Sequence, residues 1–79
     1  MQIEIEYFAL LREEAGCASE TIELQQPTPA AVYACLNERH AFSLPAARLR
    51  VAVNDRFTEW NTQLDDGDRV VFIPPVAGG

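Results

Sequence analysis

Arg69-Val70-Val71-Phe72-Ile73-Pro74-Pro75-Val76-Ala77-Gly78-Gly79 is the stretch that decides the fold. After Arg69 the run is apolar, β-branched and aromatic without polar alternation, which predicts a strand covered on both faces. Such a strand belongs at the centre of a sheet. One face packs a helix, and the other is covered either by the fold itself or by a partner protein. Pro74 and Pro75 then fix φ near about −65° and favour extended geometry around them. Gly78 and Gly79 carry no side chain, so the backbone can enter a space too narrow for a Cβ. From Pro75 to Gly79 the extended reach is at most roughly 16–18 Å, at about 3.3–3.6 Å per residue. What arrives at the end of that reach is an α-carboxylate.

Gln2 to Tyr7 alternates, with Ile3, Ile5 and Tyr7 on one face and Glu4 and Glu6 on the other, a half-buried strand. Phe8 to Ala15 reads as a short helix stopped by Gly16. Ser19 to Leu24 reads as a second strand, a neighbour of the first. Thr28 is a good N-cap and Pro29 suits the first helical position, so the main helix runs from Pro29 to about His40. Val32, Cys35, Leu36 and the stem of Arg39 fall along one side, and Ala30, Ala31 and Ala34 are expected to allow close packing on a sheet. Leu49, Val51 and Val53 alternate with Arg48, Arg50 and Ala52 in a further strand. Asn54-Asp55-Arg56 has turn chemistry, Phe57 to Trp60 predicts a return strand, and Leu64 points inward before the polar turn Asp65-Asp66-Gly67-Asp68. The order β, short α, β, α, β, β, β makes an α+β domain: a mixed sheet wrapped around one main helix, with the last strand beside the first.

Seventy-nine residues with 48% hydrophobic side chains form one domain. The start of the sequence has no basic n-region and no long apolar run, so neither a secretory signal nor a membrane span is predicted, and the cytoplasm is the expected location. A balance of 12 acidic against 6 basic residues argues against nucleic acid as a partner and suits a basic protein. All six basic residues are arginines. Cys17 and Cys35 with the lone His40 make a poor metal set, and no metal site is expected.

A carboxylate does not react with nucleophiles until it is activated, for example as an acyl-adenylate formed from ATP. The chain has no P-loop and no GxGxxG with which to do this itself, so no cofactor is expected on it and a partner must grip the domain and thread the tail. Asp66 to Gly79, Tyr7-Phe8-Ala9-Leu10-Leu11-Arg12-Glu13 and Val51-Ala52-Val53-Asn54 together resemble the small subunit of molybdopterin synthase, the MoaD family. The resemblance covers essentially the whole chain, and the Pro74-Pro75-Val76-x-Gly78-Gly79 ending is its most specific part. It implies a ubiquitin-like β-grasp domain over 1–74 and a flexible tail over 75–79.

It further implies a sulfur carrier for molybdenum-cofactor synthesis that is not catalytic alone. A ubiquitin-activating-type adenylyltransferase (MoeB-like) would use ATP to adenylate Gly79, and sulfur delivery would give a thiocarboxylate. The tail would then enter the large synthase subunit (MoaE-like) and give its sulfur to cyclic pyranopterin monophosphate. On this resemblance Gly78 and Gly79 are the reactive end, and Pro74, Pro75, Val76 and Ala77 are the threaded segment. Tyr7, Phe57 and Ile73 fall where the family places apolar contacts with the large subunit, and are equally compatible with the core. Two rival readings share the tail. One is a ThiS-like carrier for thiamine synthesis, whose members typically lack the Pro-Pro-Val lead-in. The other is a ubiquitin-like modifier that ends up amide-linked to lysines.

Overall fold

The computed structural model describes residues 1–75. Strand β5 (Arg69–Ile73) lies at the middle of a five-stranded sheet of order β2-β1-β5-β3-β4. It runs parallel to β1 (Gln2–Tyr7) and antiparallel to β3 (Arg50–Val53). β2 (Ser19–Glu23) pairs antiparallel with β1 on one edge, and β4 (Arg56–Phe57) pairs antiparallel with β3 on the other. A mixed sheet with parallel first and last strands at its centre, folded over one long helix, is the ubiquitin-like β-grasp arrangement. The expected fold class holds.

Local sequence fixes each join. α1 (Ala9–Ala15) ends where Gly16 takes φ 76° and donates its N–H to the Arg12 carbonyl. α2 (Pro29–His40) begins with Pro29 at its first position and the Thr28 hydroxyl accepting from Ala31 N at 3.2 Å. Asn54 and Asp55 both have positive φ, 51° and 70°, the geometry of a two-residue hairpin turn that matches strand twist. Asn54 also ties that hairpin to β5: its Nδ2 donates to Asp68 Oδ1 (2.9 Å) and its Oδ1 accepts from Arg69 N (3.0 Å). Gly67, at φ 86°, donates to the Gln2 carbonyl and so pins the acidic turn to the start of β1.

The core lies between the sheet and α2. Ile3, Ile5 and Tyr7 of β1, Val51 of β3 and Val70 and Phe72 of β5 meet Val32, Tyr33 and Leu36, with Leu11, Ile22, Phe42, Leu49 and Leu64 closing the sides. Phe72 is fully buried, with the Trp60 ring stacked on it at 5.7 Å and Tyr33 edge-on at 5.1 Å.

Two expectations are corrected. Ala30, Ala31 and Ala34 are exposed, because the buried stripe of α2 runs through Pro29, Val32, Tyr33 and Leu36 and leaves the alanines opposite. The return strand stops at Phe57 instead of continuing to Trp60. The chain leaves the sheet there so that Trp60 can reach Phe72 and its carbonyl can accept from Ala30 N.

One polar cluster bridges three elements at the edge of the core. The Glu20 carboxylate of β2 accepts from the Tyr7 hydroxyl of β1 (2.5 Å) and from Arg39 Nη1 of α2 (2.7 Å), and lies 2.7 Å from His40 Nε2. Burial acts to raise the Glu20 pKa. The hydrogen bonds from Tyr7 and His40 and the charges of His40 and Arg39 outweigh burial, so the carboxyl titrates below its ordinary value. Burial, then the bond to Glu20 and its charge, push the Tyr7 hydroxyl well above the usual tyrosine range.

A depressed folded-state pKa contributes stability that is present above the unfolded value of 4.5 and is lost as pH falls through the folded value. Thermal melts should therefore show wild type losing stability below about pH 4.5 more steeply than Glu20→Gln. At neutral pH the Glu20→Gln variant should be the weaker by about 1–3 kcal/mol, the usual cost of disrupting a half-buried charged hydrogen-bond cluster. Phe72→Ala, which empties the centre of the core, should cost about 3–5 kcal/mol in denaturant unfolding.

Candidate functional site: the open face of the sheet and the tail exit

Strand parity builds the site. On β5, Val70 and Phe72 point to the helix, so Arg69, Val71 and Ile73 point to the opposite, uncovered face. The register sets Arg50 against Ile73 and Ala52 against Val71 on one side, and Glu6 beside Val71 on the other. Phe57 of β4 lies across from Ala52. Glu6, Phe8, Ala52, Asp55, Phe57, Val71 and Ile73 thereby line a shallow groove of about 240 Å³.

The groove is charged at one end and apolar at the other. At the start of β5, Arg69 reaches Asp55 through Nη2 (2.5 Å) and Glu6 through Nη1 (3.4 Å). Towards the end of β5, Phe57 is 60% exposed and Phe8 53%, while Val71 between them is only 7% exposed. The neighbouring side chains therefore shield β5 itself, and the apolar surface left open belongs to its flanks. The Arg50 guanidinium sits over the Phe57 ring, 4.2 Å from its centroid. The apolar end is the end from which the chain leaves the sheet, through Ile73 and Pro74, both half-buried, to the exposed Pro75.

Phe57, Ile73, Pro74 and Pro75 are thus brought together on one face and at its exit. Tyr7 is not among them. It is 4% exposed, packs on Phe42 and His40, and hydrogen-bonds Glu20 on the helix side of the sheet. The expectation that Tyr7 contacts a partner is corrected in favour of its alternative, a place in the core, and the aromatics on the outer face are Phe8 and Phe57. The alternation of β1 contains the signal, since Ile3, Ile5 and Tyr7 inward leaves Phe8 outward. Val76, Ala77, Gly78 and Gly79 lie outside the described residues. Among the described residues no three His, Cys, Asp or Glu side chains are grouped so as to hold a metal ion. Cys17 and Cys35 are both half-buried free thiols. No helix among the described residues is long and apolar enough to cross a membrane.

A β-grasp sheet with an open apolar face beside its C-terminal exit defines a class of ubiquitin-like proteins. The model of the ThiS family matches residues 5–79. The molybdopterin synthase sulfur carrier subunit of Escherichia coli is 35% identical over 98% of this chain and 99% of its own length. A solved structure from Pyrococcus furiosus superposes with a TM-score of 0.84 at 30% identity, over 96% of this chain and 99% of that one. The matching chain from the complex of subunits 1 and 2 of the molybdopterin-converting factor of Helicobacter pylori gives a TM-score of 0.73 at 28% identity, over the whole of both chains. The chain belongs to the ThiS family, together with the small subunits of molybdopterin synthase that form the MoaD family.

Removing an exposed ring costs a fold little. Phe57→Ser should leave the melting temperature within a few degrees of wild type, a change of about 0.5 kcal/mol or less. A fall of more than about 1 kcal/mol in denaturant unfolding would place Phe57 in the fold's own core.

Proposed function

We propose that this chain is the sulfur-carrying small subunit of a molybdopterin synthase. The observation that carries the reading is the juxtaposition of the open apolar face with the point where β5 passes into Pro74-Pro75. A partner seated on that face holds the rigid end of β5, so the segment beyond Pro75 is aimed from a fixed origin. The relatives from E. coli and H. pylori support the choice of partner, a large synthase subunit of the MoaE kind.

In this reading Gly79 ends the tail as a carboxylate. Its oxygen attacks the α-phosphorus of ATP in the active site of a MoeB-like adenylyltransferase, and pyrophosphate leaves. A sulfur nucleophile at the oxidation level of sulfide then displaces AMP and leaves a thiocarboxylate on Gly79. Gly78 and Gly79 suit both active sites because no Cβ obstructs the attacking group. Val76 and Ala77 occupy the channel behind them.

The thiocarboxylate is a soft sulfur nucleophile and largely ionised at neutral pH. Within the large subunit its sulfur bonds to a carbon of cyclic pyranopterin monophosphate as an oxygen substituent of that carbon leaves. Hydrolysis of the resulting thioester returns the carboxylate and leaves the sulfur on the pterin. A dithiolene needs two sulfurs, so two charged chains are consumed for each product. ATP belongs to the activating partner, and this chain supplies no cofactor of its own. The reading places the protein in the cytoplasm with its partners.

Incubation with the adenylyltransferase, ATP and a sulfide source should raise the intact mass by about sixteen units, the replacement of one oxygen by sulfur. Gly79 deletion should give no such species while melting like wild type, because the tail lies beyond the last core residue, Phe72. Absence of the heavier species, in a reaction that charges the E. coli carrier, would remove the proposal.

A further inference from the structure

The open face carries two arginines in different states. Arg69 is neutralised, held by Asp55 on one side and Glu6 on the other. Arg50 pairs with no carboxylate among the described residues and is held by the Phe57 ring alone. It lies opposite Ile73 in the sheet, at the apolar end of the face where the chain departs. Any protein that covers Phe57 must therefore also cover a guanidinium.

We propose that Arg50 is a specificity-determining contact of this face, and that its counterpart is a carboxylate side chain of the large synthase subunit docked there. The inference rests on the proposed function for the partner's identity. The chemistry comes from Arg50 itself. Taking an unpaired guanidinium out of water is costly, and an opposed carboxylate offsets that cost through charge-assisted, bidentate hydrogen bonds. Contact with the Phe57 ring, 4.2 Å from its centroid, restrains the Arg50 side chain in advance, so less side-chain freedom is lost on docking.

A partner presenting an apolar group or a cation at that point is rejected, because the buried charge stays unpaired or is repelled. The contact also runs against the long-range field. A chain of net charge −6 attracts a basic partner, so an acidic side chain inside such a surface marks one docking orientation.

The test is titration calorimetry of full-length wild type, Arg50→Leu and Arg50→Glu against the large synthase subunit encoded in the same genome. Thermal melts confirm that each exposed-site variant folds. Leucine keeps an apolar cover on Phe57 and removes only the charge and its donors. The Arg50→Leu variant should bind about ten- to a hundredfold more weakly than wild type, the range for a hydrogen-bonded charge. The Arg50→Glu variant should bind more weakly still, and replacing one acidic residue of the large subunit by arginine should restore part of that loss. Arg50→Leu binding as tightly as wild type, or no acidic position restoring Arg50→Glu, overturns the role of Arg50 and leaves the carrier reading intact. Failure of wild type itself to bind overturns both.

Discussion

Everything in this domain depends on β5 having two faces to satisfy. Its inner face, Val70 and Phe72, is fully buried under α2, and Phe72 anchors the stacked Trp60 ring and the edge-on Tyr33 ring. Hydrogen bonding to β1 on one side and β3 on the other removes both edges of the strand. What remains is the outer face. Val71 is shielded by its neighbours, yet the side chains that shield it form an apolar surface with nothing among the described residues to cover it. A strand held this firmly on one side and left open on the other is a rigid platform for an intermolecular contact.

The same parity explains why function sits at one end. Along the outer face the residues change from the Arg69, Glu6 and Asp55 cluster to Phe8, Phe57 and Ile73. The ion pairs mark the end held by the acidic turn, whose Gly67 and Asp68 bond to β1. The apolar end faces the exit through Pro74 and Pro75. On the proposed function, docking and delivery of the tail are therefore tied to one place.

Much of this was legible in the sequence because the signals are local. The alternation of Ile3, Ile5 and Tyr7, the Thr28-Pro29 cap, the Asn54-Asp55 turn and the unbroken apolar run of β5 each specify an element through short-range physics, and each element appears where it was expected. The misreadings arise where distant contacts decide. Trp60 leaves the return strand because Phe72, twelve residues on, offers a ring to stack against. Tyr33 enters the core, and the alanines of α2 do not, because the sheet sets which stripe of the helix is covered. The Glu20 cluster joins residues from three elements, and no spacing rule brings Tyr7, Arg39 and His40 to one carboxylate. At the site, the structure sets Phe57, Ile73 and the two prolines on one face and at its exit, whereas Phe8 follows from carrying the β1 alternation one residue further.

Transfer of sulfur from the C-terminal glycine is the step on which the proposed function stands, and a single-turnover reaction measures it. Purified thiocarboxylate-bearing chain is mixed with the large synthase subunit and cyclic pyranopterin monophosphate, and pterin product and carrier mass are followed together. The expected result is one dithiolene-bearing product for every two carriers that return to the carboxylate mass. Carriers that keep their sulfur, or that lose it while no dithiolene forms, would contradict it.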